Sequence, residues 1–194
     1  METKTYKAHI ELKSDGEPGE FKAVFSTFNV IDLDEDVTTP GAFEEQETVV
    51  EPWNHEYTLP AGKGVIKFNE KEAWMEGRFF LDTQVGKENY QTVKNMGGLA
   101  EWSYTFDINK VSFGEFEDRK VRFLEKLDVV GVAPVTRGAG IGTHTVAIKS
   151  GDPKKQSENE DETAGDRGKS SEVQIMRTRI QISEIEYTET EDEH

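Results

Sequence analysis

The sequence predicts a β-rich α+β domain, built as a bent sheet or closed barrel of about eight strands with one clear helix. Three observations carry that prediction. Short stretches with period-two alternation, separated by turn residues, recur from the N-terminus to residue 149. Only one stretch, Gly86 to Met96, shows helical spacing. All three tryptophans and all eleven phenylalanines lie in residues 1–149, so the core belongs there. Residues 150–194 carry 13 acids, 6 bases and a single aromatic, Tyr187. That is too little apolar material to offset the entropy of ordering, and a largely disordered acidic tail is expected beyond a 1–149 domain.

The elements follow in order. Residues 5–13 alternate and read as a strand, closed by the turn Asp15-Gly16-Glu17-Pro18-Gly19. Phe21 to Phe28 is a second strand with Phe21, Ala23 and Phe25 on one face. The acidic loop Asn29–Asp36 comes next and leads to Thr39-Pro40-Gly41-Ala42-Phe43. Asp32, Asp34 and Asp36 have the first three spacings of a calcium loop. However, Val37 stands where a glycine must turn the chain, and Phe43 where a bidentate glutamate is needed, so a solvated acidic turn is expected and no metal. Thr48 to Trp53 reads as a buried strand ending in Asn54-His55-Glu56. Residues 64–69 and 73–82 form a hairpin around Asn69–Glu72. Gly97-Gly98 stops the helix, and a strand then runs to Lys110 through Trp102-Ser103-Tyr104. The turn Gly114–Asp118 precedes two strands, Val121–Leu124 and Leu127–Val132, the second ended by Pro134. A glycine-rich loop, Arg137–Gly142, precedes a last strand, Thr145–Ile148. In the tail, Val173, Ile175, Ile180, Ile182 and Ile185 form a weakly alternating segment that could order on a partner.

Composition narrows the function. A net charge of −16 opposes binding to nucleic acid or to an anionic membrane and favours basic partners. The absence of cysteine excludes disulfides, thiolate catalysis and cysteine-based zinc sites. No apolar run approaches the roughly 18 residues of a membrane span. Met1-Glu2-Thr3-Lys4 lacks the form of a signal peptide, so a cytosolic protein is expected.

Of the four histidines, His194 is terminal, His9 sits in a solvent-facing strand, and His144 follows the glycine-rich loop. His55, at the end of an apolar strand, is the best placed for chemistry. A serine nucleophile needs a base, a group that orients the base, and donors for the oxyanion. Ser103 can be the nucleophile and His55 the base. Asp128, an acid inside an apolar run, would need a buried partner, and an imidazolium would be one. Arg137 and the Gly138 amide lie in a loop able to present donors. The chain has no Gly-x-Ser-x-Gly elbow, so the serine would act from a strand.

Taken together these stretches resemble the prohead proteases of tailed bacteriophages, whose fold is similar to herpesvirus assemblin. Asp34-Glu35-Asp36-Val37 through Pro40-Gly41-Ala42-Phe43 resembles the family's "gDvi.pGaF". Trp53-Asn54-His55 with Pro60-Ala61-Gly62 resembles "nHd" followed by "piG". Trp102-Ser103-Tyr104-Thr105-Phe106 resembles "lSigf", and Leu127-Asp128-Val129-Val130 with Pro134 resembles "l.EvSlv..Pa". The motifs stand in the right order over residues 5–149.

The resemblance implies a serine endopeptidase that cuts the scaffold portion of the phage capsid precursor, and itself, during prohead maturation. It implies action inside the immature prohead in the host cytoplasm, with the major capsid protein as partner, a homodimer as a further expectation, and no cofactor. Carried over residue by residue, Ser103 matches the nucleophile, His55 the base and Asp128 the acidic third member, with His144 as the alternative by analogy to assemblin. Arg137 matches an arginine that supports the oxyanion in assemblin. Two rivals remain at this point. One is a non-enzymatic capsid-assembly or scaffold protein with the same fold. The other is a β-barrel binding module in which Ser103 and His55 are unrelated polar residues.

Overall fold

The computed structural model describes residues 11–13, 17–56 and 59–150. The N-terminal part of the first expected strand, His9, His194 and the tail segment at 173–187 lie outside the described residues.

Among the described residues, nine strands and one α-helix follow one another as β1 (Glu11–Lys13), β2 (Glu20–Thr27), β3 (Asp36–Thr38), β4 (Glu47–Val50), β5 (Gly62–Phe68), β6 (Glu72–Phe79), α1 (Gln84–Met96), β7 (Glu101–Phe116), β8 (Arg119–Val135) and β9 (His144–Lys149). They form one sheet in the order β1-β9-β2-β6-β5-β4-β8-β3, with β7 paired to β8 off this path. The sheet is bent and not closed, which decides between the two expected forms.

The hydrophobic core is built around aromatic rings. Phe21 stacks on Trp102 with ring centroids 4.9 Å apart and also meets Phe79. Phe25, Ile66, Met75, Phe79, Trp102 and Val132 are fully buried around them. Trp102 carries a polar N–H into this core, and Thr145 Oγ1 accepts it at 2.9 Å. The helix caps one end. Thr83 Oγ1 accepts the Gly86 N–H at 3.1 Å as its N-cap, and Gly97, at φ +56°, ends it. Its inner face presents Tyr90 and Val93 to the core, together with Gly86 and Asn89. Gly86 lies so close to the chain that an added Cβ would stand 2.1 Å from the Phe80 carbonyl oxygen.

Several strand boundaries differ from expectation, and the buried strand expected over Thr48–Trp53 is β4, which ends at Val50 and buries only that residue. The expected strand to Lys110 continues to Phe116, and the two expected strands at 121–132 are one strand, β8, from Arg119 to Val135. Together β7 and β8 form a long antiparallel arm, paired from Glu101–Val135 to Phe116–Arg119. Pro134 does not end β8. The Val132 carbonyl bonds the Glu51 N–H on the β4 side, so Pro134, two residues on, turns its hydrogen-free nitrogen to the same side, where β4 has already ended at Val50. The acidic loop contains a short strand, β3, lying parallel to β8. Asp32 Oδ1 accepts the backbone N–H groups of Asp34 and Asp36, and Asp36 pairs with Arg122 in a two-pronged ion pair. These carboxylates therefore build the turn and anchor it to β8.

Candidate active site

The alternation of β7 sets the site. Trp102 and Tyr104 turn to the core, where Tyr104 packs edge-on to Phe25 and Phe43 and its hydroxyl meets Thr38 Oγ1 at 3.2 Å. Glu101, Ser103 and Thr105 therefore share the opposite face. On β8, Ala133 lies across from Ser103 and Gly131 across from Thr105. These two small residues keep the face low beside the serine.

The empty face over Gly131 is filled by a side chain from another strand. Glu51 follows the end of β4, and its side chain crosses Gly131 so closely that a Cβ there would stand 2.6 Å from Glu51 Cγ. The chain then reverses through Pro52 and a single tight turn, Trp53–His55, in which Asn54 and His55 take positive φ of 56° and 57°. That reversal returns His55 onto Glu51. His55 Nδ1 and Glu51 Oε2 are 2.5 Å apart, and both side chains are mostly covered, at 29% and 19% exposure. Thr105 Oγ1 donates to the same Glu51 oxygen at 2.9 Å and lies 3.1 Å from His55 Nδ1.

Two contacts hold the turn. The Trp53 N–H donates to Asn89 Oδ1 of α1 at 2.7 Å, and the Thr136 N–H donates to Asn54 Oδ1 at 3.0 Å. The turn is thereby fastened to the helix and to the end of β8.

The electrostatics follow from this geometry. The hydrogen bond from His55 holds the Glu51 carboxyl below the usual carboxylate range, against the opposing effect of burial and with help from Thr105. A carboxylate on Nδ1 makes that nitrogen the donor of the neutral ring. Nε2 is then left with its lone pair, the tautomer that can accept a proton from a hydroxyl.

The other end of the Ser103 row faces the glycine-rich loop. Gly138 is buried, and a Cβ added to it would lie 3.7 Å from Ser103 Cβ and 3.2 Å from the Trp102 carbonyl oxygen. Its N–H donates to Glu101 Oε2 at 2.7 Å. Leu33 N–H to the Ala139 carbonyl (3.0 Å) and Thr27 Oγ1 to the Ile141 carbonyl (2.8 Å) hold the loop against β2 and the acidic turn. Ser103 lines a cavity of about 120 Å³ between that turn and the loop, together with Val30, Ala139 and Ile141.

The expected residues thus divide. Ser103 lies on the strand face whose next outward residue, Thr105, touches His55, although no Ser103–His55 hydrogen bond is formed among the described residues. Asp128 is a correction as the group that orients the base. It is exposed, lies across from Asp107, and lines a surface cleft with Glu44, Gln46 and Lys126, while the carboxylate on His55 is Glu51. The reason is period two: in Leu127–Val132 the residues Leu127 and Val129 are buried, so Asp128 and Val130 point outward. His144 opens β9 with its Nδ1 at 2.8 Å from the Gly142 carbonyl oxygen. The Arg137 side chain is exposed, whereas the Gly138 backbone is beside the serine.

Sequence reasoning missed Glu51, Thr105 and Glu101. The available signals were a glutamate four residues before His55 and the two outward positions flanking Ser103.

Neither a curated protein nor a solved structure matches the chain significantly. The family model described as caudovirus prohead serine protease matches residues 6–157. That span contains every element and site residue described above, and the chain belongs to the caudovirus prohead serine protease family, whose role is proteolysis in capsid maturation.

Proposed function

We propose that this chain is a serine endopeptidase that cleaves the scaffold portion of a phage capsid precursor, and itself, within the immature prohead. Ser103 is its nucleophile, His55 its general base, and Glu51 the acid that orients the base. The observation that carries this reading is the Glu51–His55–Thr105 cluster, with Thr105 two residues from Ser103 on one strand face.

In this mechanism His55 Nε2 takes the Ser103 proton as Oγ attacks a peptide carbonyl. Glu51 stabilises the imidazolium that forms and keeps Nδ1 the donor. The Gly138 N–H, next to Ser103, supplies a donor to the tetrahedral oxyanion, with the Arg137 guanidinium as a second donor on the loop. His55 then protonates the leaving amine, and water attacks the acyl-enzyme. Strand rise separates the Ser103 and Thr105 side chains by about 7 Å. The imidazole must move toward Ser103 when substrate binds, as catalytic hydrogen bonds of hydrolases often tighten only with substrate.

The partner is the capsid precursor, and the working form is a homodimer or a higher assembly inside the shell. The test is co-expression of the chain with its neighbouring capsid protein. Ser103→Ala and His55→Ala each abolish shortening of the capsid protein. Normal shortening by Ser103→Ala would falsify the assignment.

A further inference from the structure

One carboxylate in the site has no part in the mechanism above. Glu101, Ser103 and Thr105 form one outward row on β7, and its Thr105 end belongs to the base. At the other end Glu101 Oε2 accepts the Gly138 N–H at 2.7 Å. Gly138 is buried and adjoins the nucleophile. A backbone amide has one hydrogen to give, and a hydrogen bond to an ionised oxygen is shorter and stronger than one between neutral groups. A negatively charged oxygen therefore already sits on the amide that an oxyanion at Ser103 would need. The loop is otherwise fixed by Leu33 and Thr27, so Glu101 is not its sole anchor.

We propose that Glu101 is the resting occupant of the oxyanion site: its carboxylate mimics the tetrahedral oxyanion on the Gly138 N–H and must leave before Ser103 can turn over. This rests on Ser103 being the nucleophile and adds a restraint to that reading. Glu101 keeps the donor preformed and also keeps it blocked, so the free chain is a slow enzyme. Weakening the Glu101 contact speeds acylation, the opposite of what a purely anchoring residue would do.

Diisopropyl fluorophosphate provides the test, because its phosphoryl oxygen draws on the same donors as serine attacks phosphorus and fluoride leaves. The rate of adduct formation on the full chain is followed by intact mass for wild type, Glu101→Gln, Glu101→Asp and Ser103→Ala. Glutamine keeps the shape but removes the charge, and aspartate withdraws the carboxylate by one methylene. Both are expected to react about tenfold faster than wild type, a fraction of the effect of one full oxyanion donor. Hydrogen exchange at the Gly138 amide is expected to quicken in both, and Ser103→Ala forms no adduct. Equal or slower labelling of Ser103 in both Glu101 variants overturns the proposal and leaves the serine reading standing. Absence of any Ser103 adduct in wild type and variants alike overturns the serine reading itself, and the proposal with it.

Discussion

Glu51 decides which nitrogen of His55 is free. With its carboxylate 2.5 Å from Nδ1, the neutral ring presents Nε2 as acceptor, and Thr105 fixes the carboxylate oxygen that does this. Replacing Glu51 by Gln keeps the shape but removes the preference for that tautomer. Single-turnover processing is expected to slow by up to about 10⁴-fold, the loss seen when the acid of such a triad is made neutral. Asp128→Asn, on an exposed position, is expected to leave the rate within about twofold, because surface changes away from a site are near neutral. The pair also has a stability signature. The Glu51 pKa is depressed in the folded chain, so its stabilising contribution is present above the unfolded value of about 4.3 and is lost as pH falls through the folded value. Melting curves across that acid range should show a steeper loss of Tm for wild type than for Glu51→Gln. Ser103 and His55 were nominated by the sequence because each sits in a local motif. Glu51 was not, because two residues four apart meet only through a turn with two successive left-handed residues, which no periodicity announces. Asp128 was misread because an apolar run was taken as buried throughout, whereas a strand buries alternate residues.

At the scale of elements, the site is a product of the β7–β8 pairing. The register sets Gly131 opposite Thr105, and the missing side chain there is the space through which Glu51 reaches His55. Gly131→Ala puts a Cβ into that space. The atoms it meets belong to a flexible side chain, so Glu51 swings away at little cost to the fold. The expected result is a loss of rate toward that of Glu51→Gln, bounded by about 10⁴-fold. The Tm is expected to stay within about 4 °C of wild type, the shift of roughly 1 kcal/mol in a domain of this size. Most strands were legible from their alternation, which β5 and the first half of β6 carry into alternating burial, while β2, at the centre of the core, is buried on both faces from Ala23 to Ser26. The outer part of β7, beyond Lys110, was not. Beyond Lys110, β7 has no buried residue, and its pairing with β8 is supported by surface contacts such as Lys110–Glu125 and Ser112–Glu125. Phe113, 78% exposed on this arm, shows how little of it packs on the core.

At the scale of the molecule, one open sheet brings together segments far apart in sequence: the His55 turn, the Ser103 strand and the glycine-rich loop. The chain order of these segments was readable, and the family match over residues 6–157 agrees with it. The way they meet depends on the crossing of β4 beside β8, a parallel contact of Val49–Gly131 and Val50–Val132 that local sequence does not encode. The acidic tail adds a prediction at this scale. Deleting residues 151–194 should leave Tm unchanged and reduce incorporation into proheads, measured as copies of the chain per purified shell; unchanged incorporation would count against a docking role.

The most direct measurement is the intact mass of the capsid protein co-expressed with wild type, Ser103→Ala, Glu51→Gln or Asp128→Asn. Wild type and Asp128→Asn are expected to yield the same shortened product, while Ser103→Ala leaves full-length protein and Glu51→Gln yields little product in the same time. Shortening by Ser103→Ala, or loss of processing in Asp128→Asn with full processing in Glu51→Gln, would contradict the Ser103–His55–Glu51 assignment.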